Sequence, residues 1–579
     1  MAAKKRLIDE HLQAAHAHVR LQKSDALLAA LAILCLLPVT SSGRDDLVRN
    51  TDKGRVRGIR YYLPKFGKAV DAFLGIPFAK PPTKHLRFRH PEPIEQWTGI
   101  RNATKLPNSC YQVPDKFFGD FYGSDVWNPT TRVSEDCLYI NVWVPRTHPR
   151  IRKSAVMVWI YGGGFYSGTT TLNLYDGKIL AAENEVIVVS IGYRVGALGF
   201  LTLGHPTAPG NSGLFDQLMG LEWVHNNIRN FGGDPDNITL FGESAGSVSV
   251  SLHLLSPLSR NKFQRAILQS GSANTAWATV TLDEGRRRSL ELAFSYLGCK
   301  ETDDMDAVAE CLRKIGPQTL VEDQWVSRGV MQFPFLPVID GTFLTESPMK
   351  SLERKSFKRC PILIGSNKNE GAWFIIYELT EFISLETKSM SREEFIFSMN
   401  HLFFYYPQYP QVNNRFGLDA VIFHYSNFLD PEDVDSNLHA LDSAVGDNHL
   451  VCPLNEFAHA YASAGENVYM YYLTQRYSTN PWPPWMGDVS NSSSDILIDD
   501  GPVCFENDPN RIPGAHSLDE WPLHTPQGRE YLEINTKYLN EPDKSKAIGR
   551  GPKAKNCAFW REYLPKLVGG TCEYCVTWL

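Results

Sequence analysis

Five residues, Gly242-Glu243-Ser244-Ala245-Gly246, constrain this chain more than any others. They lie between a β-rich segment, Asn237 to Gly242, and an apolar segment of helical spacing, Ser247 to Leu255. A serine on a sharp strand-to-helix turn can hold its Oγ clear of the sheet only if the positions two before and two after it carry almost no side chain. Both are glycine here. The helix that starts behind the turn also favours negative charge developing nearby. The alternative is an ordinary Gly-rich turn, but the strand before and the helix after favour Ser244 as a nucleophile. Upstream, Gly162-Gly163-Gly164 follows a strand ending at Tyr161. Adjacent glycines let backbone N–H groups face a developing oxyanion without side-chain interference. Gly163, Gly164 and Ala245 are the expected donors.

The rest of the pattern agrees with a strand–turn–helix chain. Asn141 to Val144, Ala155 to Tyr161, Val186 to Tyr193, Arg265 to Ser270 and Pro361 to Ser366 read as short apolar strands. Gly213 to Asn230 reads as a helix, with Leu214, Leu218, Leu221 and Val224 at helical spacing. This alternation predicts an α/β fold with a mostly parallel central sheet flanked by helices. The site of such a sheet lies beyond the carboxyl ends of its strands. At 579 residues the chain exceeds the usual single-core size, yet no linker, repeat or low-complexity run divides it. A net charge of −6 and a pI near 6.3 argue against nucleic acid as a partner, since that role wants a basic patch.

Residues 1–42 read as a secretory signal peptide with a long leader, a signal anchor being the alternative. Lys4, Lys5, Arg6, Arg20 and Lys23 precede an apolar run from Ala26 to Val39, and small residues follow. That run is short for a membrane span. Residues 43–565 form the one expected domain, and 566–579 a short tail too polar for a GPI signal. A secreted chain puts its cysteines in an oxidising compartment. There are eleven, and Cys35 lies in the leader. Cys110 and Cys137 flank a Gly- and aromatic-rich loop, and Cys299 and Cys311 a short acidic one; spacing alone proves neither pair. Asn102, Asn237 and Asn491 begin glycosylation sequons.

Longer stretches identify a resemblance. Phe73-Leu74-Gly75-Ile76-Pro77-Phe78-Ala79, Ser134-Glu135-Asp136-Cys137-Leu138-Tyr139 and Gly232-Gly233-Asp234-Pro235 resemble the type-B carboxylesterases, and with Trp127-Asn128-Pro129 the cholinesterases. Within these the chain is most similar to invertebrate acetylcholinesterases, from about Gly54 to Pro565. The resemblance implies an α/β-hydrolase fold and a two-step serine esterase acting on a small choline ester. It implies no metal and no cofactor. Trp127 would hold the quaternary ammonium over its indole face, which needs no hydrogen-bond partner. Glu243 would add negative charge beside it, Asp115 and Trp325 would lie on the rim with Tyr377, and Tyr166, Trp373 and Phe374 would line the gorge. Trp277, Met331 and Phe333 fall where the acyl pocket is built. Met331 stands where vertebrate members have Phe, so a roomier pocket is expected. Val113 departs from a rim Tyr. Glu370, in Lys368-Asn369-Glu370-Gly371, would be the acidic member of the triad; from the residues alone, a Glu before a Gly says little. The implied bridges are Cys110–Cys137, Cys299–Cys311 and Cys452–Cys557. Cys360 and Cys504 would stay unpaired, and Cys572 or Cys575 could link two subunits into a homodimer through the C-terminal region. An extracellular, cell-surface or synaptic location is implied, with any membrane association resting on an unidentified anchor.

One component is missing. In this fold the base follows the acid in the chain. His401, His424, His439, His449, His459, His516 and His524 all follow Glu370. The family places its base shortly after Trp482-Pro483-Pro484-Trp485-Met486-Gly487, within a His-Gly-Tyr-Glu motif. Here the corresponding position is Ser490, inside a Ser- and Asp-rich segment, 488–517, that is shorter than and unlike the family's. The match returns at Trp521-Pro522-Leu523. His516 and His524 are the nearest substitutes, and a surface or structural role suits each better. Three readings therefore stand: an acetylcholinesterase-like esterase impaired by that segment, a general carboxylesterase, or a non-catalytic cholinesterase-like adhesion or binding protein. The cation-site residues weigh against the second. An intact Ser244, Glu243 and glycine loop weigh against the third.

Overall fold

The computed structural model describes residues 46–146, 153–326, 332–379, 390–404, 415–475, 521–538, 541 and 543–570. The leader, Met331, Asn491, Cys504, His516, Cys572, Cys575 and the whole 488–517 segment lie outside the described residues.

Strands β1 (Ile59–Leu63), β2 (Lys68–Pro77), β3 (Tyr139–Pro145), β4 (Ser154–Ile160), β5 (Ile187–Ile191), β6 (Gly233–Glu243), β7 (Arg265–Gln269), β8 (Ile362–Asn367), β9 (Val468–Leu473), β10 (Glu530–Ile534) and β11 (Ile548–Arg550) form one sheet among the described residues. Across it they run β11-β10-β9-β8-β7-β6-β4-β5-β3-β2-β1. The block from β5 to β10 is parallel. Antiparallel strands close both edges. Every residue of β4, β5 and β8 is buried, as expected of strands covered on both faces. Helices α1 (Lys178–Asn184), α2 (Ser212–Asn227), α3 (Ala245–Leu255), α4 (Ala372–Glu378), α5 (Arg415–Tyr425), α6 (Val434–Gly446) and α7 (Leu564–Gly570) are among those that accompany the sheet. None of the described helices is long and apolar enough to cross a membrane.

The expected core strands are present with small shifts at their ends. Two differences bear on the site. The strand before the glycine motif begins at Gly233 rather than Asn237, with a register irregularity between Gly233 and Ile238 where it pairs with β4. The following helix starts at Ala245, not Ser247, so Ser244 is itself the helix N-cap. The turn is therefore as short as a strand-to-helix turn can be.

Disulfides join Cys110 to Cys137, Cys299 to Cys311 and Cys452 to Cys557. Among the described residues Cys360 is unpaired and buried, and burial pushes its thiol up to about 12. The first bridge closes a loop that is also held from inside. Arg87 donates two hydrogen bonds of 2.6 Å to the Glu135 carboxylate, and its remaining nitrogen donates to the carbonyls of Arg313 and Ile315. This bidentate pair gives the Ser134-Glu135-Asp136-Cys137 stretch a physical reason.

The glycine motif is tightly packed. A Cβ on Gly246 would lie 2.1 Å from the Ile160 carbonyl oxygen at the end of β4, and one on Gly242 would meet the Gly246 backbone at 2.6 Å. Neither neighbour is a side chain that could turn away. Gly246→Ala is therefore expected to destabilise the chain by about 2 kcal/mol or more, read from urea unfolding midpoints. An unchanged midpoint would contradict this packing account.

Candidate active site

Ser244 sits at the carboxyl end of β6 with φ 54° and ψ −124°, a conformation that L-residues rarely adopt. Two hydrogen bonds hold it there. Its N–H donates to the Gln269 carbonyl at 2.9 Å, and its carbonyl accepts from Val248 N–H at 2.9 Å. Its Oγ, partly exposed, is bonded to no described histidine.

The glycine loop meets this turn directly. A Cβ on Gly162 would stand 3.0 Å from Ser244 Cβ and 2.9 Å from a Glu243 carboxylate oxygen. Gly163 (φ 111°) and Gly164 (φ 57°) adopt left-handed backbones. The Gly163 carbonyl is turned inward and accepts from the N–H groups of Tyr166 and Ser167 at 3.1 and 2.9 Å. The Gly163 and Gly164 N–H groups have no described acceptor. Ala245 N–H, first in α3, has no intrahelical partner. All three residues lie just beyond the carboxyl ends of β4 and β6, on the side of the sheet where Ser244 stands.

Glu370 follows β8. Its Oε1 accepts from Ser270 Oγ–H at 2.6 Å and from Asn367 N–H at 2.7 Å. Ser270 continues β7, and a Cβ on its neighbour Gly271 would lie 2.6 Å from the Ser244 carbonyl. The acid and the nucleophile are thus joined through three residues, Gln269, Ser270 and Gly271. Sequence reasoning did not single out Ser270; the signal was a Ser-Gly pair at a strand end, and Ser270 has φ 53°. Burial raises the Glu370 carboxyl to about 7, against the lowering effect of its two hydrogen bonds; the nearby Asp442, itself raised to about 6 by burial, adds to the rise.

The aromatic residues divide into groups. Tyr166 lies against Trp325 at 5.0 Å and Phe333 at 5.7 Å, and Phe333 meets Trp277 edge-on at 5.4 Å. A Cβ on Gly164 would come within 2.9 Å of Phe333, so this group adjoins the glycine loop. Met331 is outside the described residues. Trp373 contacts Phe374 at 5.3 Å and Tyr377 at 4.7 Å. The Tyr377 hydroxyl donates to Asp115 at 2.6 Å and ties α4 to the Cys110–Cys137 loop. Trp127, half-buried, is on the same loop. Its neighbour Asn128 exchanges hydrogen bonds with the Asp115 backbone at 2.6 and 2.9 Å. Val113 and Trp325 are exposed. Burial raises the Tyr175 phenol well above its ordinary value, and the Glu243 charge adds to the rise; sequence reasoning also passed over this tyrosine.

None of the described histidines hydrogen-bonds Ser244 or Glu370; His449 comes nearest the site residues, 6.2 Å from the Phe374 ring. His524 N–H donates to the Val468 carbonyl at 2.8 Å, at the amino end of β9. The Leu473 carbonyl, beside the Glu370 loop, is at the other end, roughly 16 Å away at strand spacing. His424 stacks on Phe559, His459 bonds Ser463, and His439 is exposed. His449 is buried and held neutral, its imidazole lowered to about 3 by burial, while its carbonyl accepts from Thr275 and Trp277. Glu370 takes no hydrogen bond from any described histidine.

Comparison with known proteins agrees with this architecture. Residues 45–502 match the model of the Carboxylesterase family, and the chain belongs to that family, with its α/β-hydrolase fold. More particularly, it is similar to the cholinesterase of Mus musculus, 40% identical over 578 residues that span 95% of this chain and 92% of the relative. It is equally similar to the acetylcholinesterase of Bungarus fasciatus, 40% identical over 567 residues spanning 93% and 90%. The chain is a cholinesterase-like serine hydrolase, of the carboxylic ester hydrolase class.

The Glu370 environment makes stability depend on pH. Its carboxyl titrates at about 7 when folded and near 4.3 when unfolded. Between those values the folded state keeps a proton that the unfolded state has released, so stability falls as pH rises through the window. Glu370→Gln removes this term while keeping an acceptor for Ser270 and Asn367. The variant should gain on the parent by about 2–3 kcal/mol between pH 5 and pH 8, measured by urea unfolding at each pH. A difference that does not change with pH would contradict the assignment.

Proposed function

We propose that this chain is an acetylcholinesterase-like esterase whose turnover is depressed by the loss of the family's base. In this reading Ser244 attacks the acyl carbon of a choline ester. The N–H groups of Gly163, Gly164 and Ala245 stabilise the oxyanion, choline departs from Trp127, and water releases the acyl group from Ser244. The observation that carries the reading is the left-handed turn at Ser244, packed against the glycine loop. A strained backbone with three N–H groups beside it suits acyl transfer and serves no evident packing purpose. Glu243 supplies negative charge near the leaving cation. Asp115 and Tyr377, linked at the rim, favour a cationic substrate over an uncharged ester.

Serine at its ordinary pKa needs an adjacent base. On the resemblance the family's position holds Ser490, and none of the described histidines hydrogen-bonds Ser244 or Glu370. A carboxyl at about 7 is also only half ionised at neutral pH, until a cation is placed against it. The purified full chain should therefore hydrolyse acetylthiocholine roughly 10⁴–10⁶ times more slowly than a family member with a complete triad. Turnover within tenfold of such an enzyme would overturn the missing-base reading.

Binding should survive this loss. Trp127→Ala is expected to weaken tetramethylammonium binding by about 10- to 30-fold, the scale of a desolvated cation–π contact, as read by calorimetry. Equal affinities would remove Trp127 from the site. The same reading includes secretion, with Asn102, exposed on the surface, as a glycosylation acceptor. It also includes a homodimer through the C-terminal region, where Phe423 and Tyr563 expose 69% and 58% of their surface around a shared groove.

A further inference from the structure

The chain carries a net charge of −6, yet one stretch runs against it. Residues 354–359 read Arg-Lys-Ser-Phe-Lys-Arg, directly after the short helix Pro348–Glu353. Lys350 lies one turn before Arg354, whose N–H donates to the Lys350 carbonyl at 2.9 Å. Arg260, remote in sequence, joins the group. Its guanidinium donates to the Ser356 carbonyl at 3.3 Å, and Lys358 Nζ donates to the Arg260 carbonyl. Most of these cations are held by neutral acceptors. Lys355 Nζ donates to the Ser463 carbonyl at 2.7 Å and Arg359 to the Ala464 carbonyl at 2.8 Å, at the C-terminal end of the helix Cys452–Ser463. Lys358 Nζ also lies 5.2 Å from the Phe263 ring centre, and the Arg359 guanidinium 5.1 Å from that of Phe357. A carbonyl or a ring fixes a cation in place without cancelling its charge. Among the described residues, carboxylates reach only two of the six: Glu346 pairs with Arg354 at 3.1 Å and Glu466 with Arg359 at 3.6 Å. With the exposed Glu353 counted as well, six cations face three carboxylates, a surplus of three. Burial lowers the Lys358 ammonium, and the neighbouring Arg260 charge adds to the fall.

We infer that this surface binds a sulfated polysaccharide of the heparin type. Its sulfates would lie across Lys350, Arg354, Lys355 and Arg359, all of them exposed. Cations already fixed in place and not neutralised suit a linear polyanion, because each contact releases counterions and orders few side chains. Nucleic acid fits less well. A single strand needs exposed rings on which to stack its bases. The rings here, Phe263 and Phe357, are 0% and 4% exposed. The leader expected at residues 1–42 would also carry the chain to the compartment where sulfated glycans are displayed. The inference is independent of the esterase reading, since it uses none of that reading's residues.

The probes are a heparin octasaccharide and the same octasaccharide stripped of its sulfates, which keeps the uronate carboxylates. Their binding to the full chain is measured by calorimetry. The sulfated probe is expected to bind about tenfold more tightly, or better. Raising NaCl from about 50 to about 200 mM should weaken it by about 10- to 40-fold, the loss expected for two or three ion contacts. Lys350→Gln, Arg354→Gln and Lys355→Gln together should weaken it by about tenfold. Lys65→Gln, Lys105→Gln and Lys314→Gln together remove the same charge from exposed positions elsewhere, and should change it by less than about twofold. Equal affinity of the two probes for the parent chain would overturn the inference. So would equal losses in the two triple variants, or tighter binding of a dT12 strand or of phosphatidylserine vesicles than of the sulfated probe. The comparison of two probes on the unmodified chain stands even if a variant fails to fold.

Discussion

The contact between Gly246 and the end of β4 governs the site. With a hypothetical Cβ only 2.1 Å from the Ile160 oxygen, the first turn of α3 sits directly on the strand that leads into the glycine loop. Helix, turn and glycine loop are consequently one packed unit. Ser244 can hold a backbone conformation costing about 1–3 kcal/mol because β7 takes its N–H and α3 takes its carbonyl. Gly271 closes the remaining side, since any side chain there would strike the Ser244 carbonyl. Ser244 is thus enclosed by Gly242 at the end of β6, Gly246 in α3, and Gly162 and Gly271 just beyond β4 and β7, each where a Cβ would not fit.

The acid arrives differently. Glu370 reaches the site on a loop after β8; two hydrogen bonds orient its carboxylate, and the backbone beside it packs on α6, where a Cβ on Gly371 would lie 2.1 Å from the Asp442 carbonyl oxygen. Those bonds favour the ionised form, but desolvation outweighs them and Asp442 adds a like charge. Both backbones are fixed by packing and hydrogen bonds; the difference lies in the Glu370 carboxyl, whose ionised form burial disfavours and a neighbouring cation would favour.

Only part of this was legible. The turn at Ser244 was readable because steric exclusion forces glycine into fixed positions. The strands buried on both faces were readable as unbroken apolar runs. The edges were not. β10 and β11 are short, with polar residues such as Glu530, Glu533 and Arg550, and β9 is half tyrosine, so none shows a strand period. Ser270 was missed because a serine that orients a carboxylate looks like any loop serine. Glu370 and the cation-site residues became nameable only through resemblance to a family, because hydrogen bonds between residues about a hundred positions apart leave no local pattern.

Substrate binding and turnover are specified by separate parts of the chain. On the proposed reading, the cation site depends on the Cys110–Cys137 loop. That loop is anchored by the disulfide, by the Arg87–Glu135 pair and by the Tyr377–Asp115 hydrogen bond. The oxyanion donors depend on β4 and α3. Neither set draws on residues 488–517. On that same reading, a change confined to those residues would remove proton transfer and leave the walls around the cation in place. An esterase with depressed turnover and a cation-binding protein would share those walls. They differ in one imidazole, which is why a cation affinity and a rate must both be measured before either name fits the chain.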